Sequence, residues 1–180
     1  RLIAKGMIPG INTANDVTYW GGRLYVASPK NGLIIVDVTD PQKETLMVTK
    51  KVKGTIQSLA MHPWSSTLYA LGGSQGFAPI SVRDPKNPEV LGWIQTKGAA
   101  IRAHASRKYL ALSDTESLRL YDLADPKKPI LRARRRIPSG PTGALTMALA
   151  TQGPYVYAAS WYGIEVFQAD LNITTPIAEV

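Results

Sequence analysis

The chain has 180 residues, 44% hydrophobic and 19% charged, with a mean hydropathy of −0.08; this is ordinary globular composition, and it indicates neither disorder nor a membrane span. Cysteine is absent, which excludes disulfides, thiol catalysis and cysteine-ligated zinc or iron–sulfur sites. The net charge of +8 and pI near 9.8 admit nucleic acid, anionic lipid or acidic glycan as partners, but spread over many strands they read as a solvated basic surface.

Residues 1–10 read as the tail strand of a preceding unit. Arg1-Leu2-Ile3-Ala4 through Ile8-Pro9-Gly10 parallels Leu131-Arg132-Ala133 through Ile137-Pro138-Ser139-Gly140. The opening on Arg1 rather than Met, with no secretory signal in view, suggests a trimmed chain. A first full unit spans 11–54, with strands at Leu24–Ala27 and Leu33–Asp37 and an Asp40-Pro41 step after the second of them. The next unit, 55–98, shows all four strands: Ile56–Met61, Thr67–Leu71, Phe77–Val82 and Glu89–Ile94. They are separated by His62-Pro63-Trp64-Ser65-Ser66, by Gly72-Gly73-Ser74-Gln75-Gly76 and by Asp84-Pro85-Lys86-Asn87-Pro88, which are turn-forming clusters. Unit 99–140 repeats the frame with Tyr109–Leu112, Leu118–Asp122 and Asp125-Pro126. Residues 141–180 hold an incomplete copy with Val156–Ala159 and Ile164–Phe167, in which Asp170-Leu171 is a degenerate Asp-Pro step and Pro176–Val180 starts a tail strand.

The unit therefore recurs about every 41–45 residues, a period that points to stacked supersecondary modules. Four short strands with tight turns make one antiparallel meander, which is one blade of a β-propeller. Runs such as Leu33-Ile34-Ile35-Val36 are apolar at consecutive positions, as strands covered on both faces must be. Gly32, Gly76 and Gly163 precede the third strand, where a turn can require positive φ, whereas Ser117 stands there in the third copy. Tail fragments at both ends suggest an excerpt of a longer propeller, or a chain completed by another chain. An open arc would leave edge strands unpaired.

Gly32-Leu33-Ile34-Ile35-Val36-Asp37-Val38-Thr39-Asp40-Pro41 resembles the core of an LVIVD-type repeat, a propeller family of bacterial exported and surface proteins. Arg23-Leu24-Tyr25-Val26-Ala27 is similar to the strand that precedes this core in the family, and Asp84-Pro85-Lys86-Asn87-Pro88-Glu89-Val90-Leu91-Gly92 to the tail that follows it. The fourth copy departs from the pattern, with Gln168 in place of the strand-end Asp and Leu171 in place of Pro. The resemblance implies an all-β propeller of four-stranded blades, about four of them present as part of a larger ring. It also implies a scaffold or binding role, and a place outside the cell or on its surface.

Catalytic signatures are missing: there is no G-x-S-x-G elbow, H-E-x-x-H, P-loop or dinucleotide fingerprint. His62 and His104 are the only histidines and fall in different units, so joint metal ligation is not expected. Asp37/Asp40 and Asp122/Asp125 supply too few oxygens for calcium. They fit turn chemistry instead, an Asp carboxylate accepting from N–H groups two residues on. Arg132-Ala133-Arg134-Arg135-Arg136 is the densest charge and falls on a fourth strand, with Lys50, Lys51 and Lys53 on an equivalent tail. Arg132, Arg134, Arg135 and Arg136 form a candidate basic patch, or else the cations that keep an outer strand from pairing with another edge. Interleaved aromatics are lacking, so nucleic acid is not favoured.

The face built from the loops between second and third strands and between blades carries Asn12, Asn15, Lys30, Asn31, Arg102, Asp114, Glu116, Trp161 and Tyr162. Trp161 and Tyr162 could stack on a sugar or a protein, or pack down as a plug between blades. Asn172-Ile173-Thr174 fits a glycosylation sequon, relevant only in a eukaryotic secretory setting. The sequence is read as a non-enzymatic module binding a protein or glycan, with Trp161, Tyr162, Lys30, Asn31 and Arg102 as the candidate contacts. No cofactor and no metal is expected. The alternatives are an enzyme whose site lies on the ring axis and is completed by missing blades, and a subunit of a surface assembly or filament.

Overall fold

The computed structural model describes residues 7–40, 43–136 and 146–169. The readings on Arg1–Ala4, Pro41, Ile137–Gly140, Asp170-Leu171, the sequon at Asn172 and Pro176–Val180 fall outside them. Within the described residues every regular element is a strand, and these form four antiparallel sheets in which strands follow one another in chain order. The first sheet holds β1 (Asp16–Trp20), β2 (Arg23–Ser28), β3 (Gly32–Asp37) and β4 (Thr45–Lys50). The second holds β5 (Ser58–Met61), β6 (Thr67–Leu71), β7 (Phe77–Ser81) and β8 (Glu89–Val90). The third is β9 (Ala100–Ala105), β10 (Tyr109–Asp114), β11 (Ser117–Asp122) and β12 (Ile130–Arg136), and the fourth is β13 (Ala148–Gln152), β14 (Tyr155–Ser160) and β15 (Gly163–Gln168).

Turn chemistry sets these boundaries. Gly32 and Gly76 have φ of +86° and +77°, and a Cβ on either would run into a carbonyl of the passing tail strand, Lys50 O or Ile94 O. Where the third sheet has Ser117 instead, Asp114 closes the hairpin: its Oδ1 accepts from the N–H of Glu116 (2.8 Å) and of Ser117 (2.7 Å). The Asp84-Pro85 and Asp125-Pro126 steps are turns, as their spacing implies, and Asp37 and Asp122 at the ends of the third strands close turns in the same way. Asp37 Oδ1 accepts from Thr39 Oγ1 (2.6 Å) and Thr39 N–H (2.9 Å), Asp84 Oδ1 from Lys86 N–H, Asp122 Oδ1 from Ala124 N–H and Asp125 Oδ1 from Lys127 N–H. These bonds hold the carboxyls of Asp37 and Asp84 below the ordinary carboxylate range, the Thr39 hydroxyl leading at Asp37 and the Asn87 amide at Asp84.

The first strand of the second sheet starts at Ser58 and not at Ile56, and its fourth strand is much shorter than the sequence reading. The expected run Glu89–Ile94 is only Glu89–Val90, because Gly92 turns the chain out at φ +140°, and Ile94 then rejoins Phe77 through two backbone bonds (3.0 and 2.8 Å).

The sheets stack with their first strands side by side, β1 against β5, β5 against β9 and β9 against β13, as blades around an axis. An apolar layer fills each junction. Tyr25, Leu33 and Ile35 meet Leu59, Leu68 and Ile80 between the first two sheets. Tyr69, Leu71 and Phe77 meet Leu110, Leu112 and Tyr121 between the second and third, with the Phe77 and Tyr121 rings edge to face at 4.9 Å. Tyr109, Leu118 and Leu120 meet Val156 and Phe167 between the third and fourth. Ile8 and Ile11 lie on the far side of the first sheet, against Val26, Ile34 and Val36.

Polar groups pin each junction. Asp16 Oδ2 accepts from Ser58 Oγ and Leu59 N–H (both 2.8 Å), Tyr69 O–H donates to Pro126 O (2.9 Å), and Tyr109 O–H donates to Gly153 O (2.8 Å). Both histidines serve the same purpose. His62 Nδ1 accepts from Trp64 N–H while its Nε2 meets Arg107 O (3.2 Å), and His104 Nδ1 meets Thr151 Oγ1 (2.9 Å). Burial pushes the pKa of each below the ordinary imidazole value.

Candidate functional site

In an antiparallel meander the second-to-third turn and the connection to the next sheet emerge at the same end. Short bonds weave that end together here: Lys51 Nζ to Lys30 O (2.5 Å), Gln95 Nε2 to Ser74 O (3.0 Å), Ala100 N–H to Gly73 O (2.9 Å) and Thr115 N–H to Ala99 O (3.1 Å). The result is a rigid rim from which the remaining side chains project.

Trp161 and Tyr162 form the turn between β14 and β15 on this rim and stand 78% and 61% exposed, so they project outward and do not plug the blades. The Tyr162 N–H donates to Ser160 Oγ (3.2 Å), which holds the turn tight. Arg102, on β9 of the neighbouring sheet, reaches across the junction, its Nε donating to Met147 O (3.0 Å) and one terminal N–H to Ile101 O (2.9 Å). Met147 is itself exposed and donates its N–H to Ala159 O, two residues before Trp161. The structure thus gathers Arg102, Met147, Trp161 and Tyr162 at the shared end of the third and fourth sheets. Met147 was not singled out from the sequence, since nothing in a lone Met before a strand marks it.

Lys30 and Asn31 occupy the corresponding turn of the first sheet. They are on the same rim but three blades away, and are not brought together with Trp161. Asn31 N–H bonds Ser28 Oγ (3.3 Å), a turn closure.

Asp114, expected among the exposed loop residues, is instead buried. Its Oδ2 lies 2.5 Å from Arg119 Nε, and both side chains are fully enclosed. Burial raises the Asp114 pKa, but the N–H groups of Glu116 and Ser117 and the Arg119 guanidinium outweigh it and hold the carboxyl below its usual range. The Tyr121 phenol beside this pair is pushed up to about 12, chiefly by burial.

The arginine run splits into three fates. Arg132 pairs with Asp122 (3.0 Å), and Arg134 reaches Glu116 (3.2 Å) and Ser117 Oγ (3.2 Å). Arg135 borders a cleft of about 500 Å³ between the third and fourth sheets, among Leu118, Leu120, Val156 and Phe167, while Arg136 is exposed. The four do not form one uniform cationic stripe. On the axis side, a cavity of about 450 Å³ is lined by Thr18, Tyr19, Trp20, Met61 and His104 with small apolar neighbours. Among the described residues no cluster of three acidic or histidine side chains assembles to hold a metal, and no helix is long and apolar enough to cross a membrane.

Comparison with known proteins agrees with this architecture. The family model for the LVIVD repeat matches residues 12–50, which contain the whole first sheet. No curated protein matches the chain. Among solved structures, the computationally designed Ika4 protein superimposes with a TM-score of 0.68 at 8% identity, over 91% of this chain and 96% of that one. The computationally designed Ika8 protein superimposes with a TM-score of 0.67 at 8% identity, over 86% of this chain but 45% of the other. At such identity the likeness concerns the fold alone. The chain carries an LVIVD repeat, and its four sheets are propeller blades.

Proposed function

We propose that this LVIVD-repeat propeller is a non-enzymatic interaction module of an exported or cell-surface protein, docking a protein or glycan partner at the shared rim of its third and fourth sheets. The observation that carries the reading is the exposed Trp161–Tyr162 pair on a tight turn, flanked by Met147 and by Arg102 already held by backbone carbonyls. Rigid aromatic rings lose little entropy on binding and offer both an apolar face and a polar tip, the features that make Trp and Tyr dominant in hot spots and in sugar stacking. The pinned blades keep that platform in place with no induced fit.

An enzymatic reading finds less support. The axis cavity brings His104 and Tyr19 to an otherwise mostly apolar lining, and the His104 ring is engaged with Thr151. The placement outside the cell rests on the resemblance to surface propellers; immunodetection of the native protein confined to the cytoplasm would sink it.

The test of the module is binding to an immobilised array of neutral and acidic oligosaccharides and to a displayed protein library, wild type against Trp161→Ala/Tyr162→Ala. Loss of the strongest wild-type hit by at least about tenfold, with unchanged circular dichroism, is expected. Equal binding by both proteins removes the rim as the docking site, and a wild type that binds neither collection overturns the module.

A further inference from the structure

Charge is not spread evenly over the first two sheets. Among the described residues, the end that carries their second-to-third turns and their onward connections holds five lysines, Lys30, Lys50, Lys51, Lys53 and Lys97, against the one carboxylate of Asp16. At the other end four cations, Arg23, Lys43, Arg83 and Lys86, stand with five carboxylates, Asp37, Asp40, Glu44, Asp84 and Glu89. Asp16 is itself turned onto Ser58 Oγ and Leu59 N–H. Lys30, Lys50, Lys51 and Lys53 are all exposed, and among the described residues no carboxylate comes within ion-pair distance of them.

The fold holds these lysines on one stretch of rim. Lys51 Nζ donates to Lys30 O (2.5 Å), so the chain leaving β4 lies over the turn between β2 and β3. Val52 then points into the first junction, which leaves Lys51 and Lys53 facing solvent on either side of it. The next step packs on the second sheet's turn: a Cβ on Gly54 would come within 2.8 Å of Gln75 Cγ. Beneath that turn the half-buried Trp93 ring rests on Gly72, where a Cβ would lie 2.7 Å from Cζ3. Lys30, Asn31, Lys51, Lys53, Gln75 and Trp93 thus follow one another from the first turn to the second.

We propose that this stretch is a second docking surface, and that its occupant is an acidic polysaccharide, a chain of sugars bearing carboxylate or sulfate groups. Charge complementarity selects a polyanion, since four lysines without carboxylates set up a local positive potential that the same two sheets lack at their other end. The residue types choose among polyanions. Lysine ammoniums satisfy scattered anionic groups as point charges, whereas the bidentate reading of base edges is led by arginine and by amides facing a groove. Long flexible lysines are depleted at protein–protein interfaces, which disfavours an acidic protein. Val52 is turned inward, so no large apolar side chain stands between Lys51 and Lys53 to enter a lipid headgroup layer. Asn31 and Gln75 add amide groups suited to sugar hydroxyls, and the Trp93 ring adds an amphipathic wall. This surface lies three blades from the Trp161–Tyr162 turn and does not rest on the reading of that turn.

Titration of the 180-residue chain with polygalacturonate and with heparin tests this, with dextran as the neutral control. Binding to at least one of the two acidic chains and none to dextran is expected, weakening as salt rises from about 0.05 to 0.3 M. Lys30→Glu/Lys53→Glu is expected to weaken it by at least about tenfold with unchanged circular dichroism. Lys43→Glu/Lys86→Glu makes the same change in net charge at the other end and is expected to stay within about twofold. Equal losses in the two variants overturn the proposal, because overall charge then accounts for the binding. Failure to bind either acidic chain also overturns it. Tighter binding to duplex DNA, to polyglutamate or to phosphatidylglycerol vesicles overturns the polysaccharide as the occupant. Lys30→Glu/Lys53→Glu leaves the Trp161–Tyr162 turn in place, so the two surfaces fail independently.

Discussion

Leu118 on β11 and Ile164 on β15 hold the same place in adjacent blades, yet one is buried and the other bare. The contrast extends over whole sheets. In the second and third, both faces are covered, and most polar side chains inside meet a partner: His62 on Trp64 and Arg107, Ser58 on Asp16, Asp114 on Arg119. In the fourth, the forward face keeps the same apolar types with less to rest on, Ile164 and Val166 being exposed. Burial in a propeller thus belongs to the junction between blades, and a residue's chemistry shows only that it is fit for one.

The sharpest way to break this comparison is to place the same charge at both sites. Leu118→Lys puts an unpaired ammonium into the third junction and is expected to cost more than about 4 kcal/mol, while Ile164→Lys in the dilute single chain stays within about 0.5 kcal/mol. Urea denaturation of the two variants decides it, and similar losses would show that the fourth sheet's face is covered after all.

Next in size is the enclosed pair of the third sheet. By register, Asp114 and Arg119 stand where the first sheet has Ser28 and Ile34. Asp114→Ala leaves the buried guanidinium without its carboxylate and is expected to cost about 3–5 kcal/mol. Asp114→Ser combined with Arg119→Ile, which installs the first sheet's solution, recovers most of that loss in a double-mutant cycle. Additive losses would mean that the two residues act separately.

A smaller effect separates two equivalent tyrosines. Tyr69→Phe removes the bond to Pro126 O across the second junction and is expected to cost about 1 kcal/mol. Tyr25→Phe at the matching place is expected to be near neutral, since the Tyr25 hydroxyl is buried with no hydrogen-bond partner among the described residues. Chemical denaturation that ranks them the other way would put the pin elsewhere.

The mildest test is pH. His62 and His104 have pKa values below the ordinary 6.5 because the junctions disfavour the imidazolium. The unfolded chain therefore binds protons first: stability is full above about pH 6.5 and declines as pH falls below it, towards the folded values. His104→Gln should flatten that decline in melting temperature between about pH 7 and 5, and an unchanged slope would assign it to other groups.

Much of the fold is legible in residues because each blade must solve the same local problem. The glycines before the third strands, the Asp turns and the doubly apolar central strands all follow from short-range sterics and hydrogen bonding, so they repeat with the chain. The candidate site is legible only in part. The Trp161–Tyr162 pair was visible as two adjacent rings, but whether it would project or plug depended on the blade beneath it. Asp114 read as a loop residue because its spacing is that of a turn. It is buried because Arg119, five residues on, lies beside it across the hairpin. The arginine run read as one patch and came apart because alternation along β12 sends its members to different faces and to different carboxylates.

By itself the sequence determined the period, the strand order, the turn chemistry and the apolar character of every junction surface, since these depend on neighbours a few residues apart. Tertiary structure alone decided which of those surfaces meet. It decided that Arg102 reaches Met147 beside the aromatic turn, and that the forward face of the third sheet is covered where that of the fourth is exposed. Such outcomes depend on contacts forty or more residues apart, whose geometry is set by how twisted sheets stack and by no single stretch of the chain.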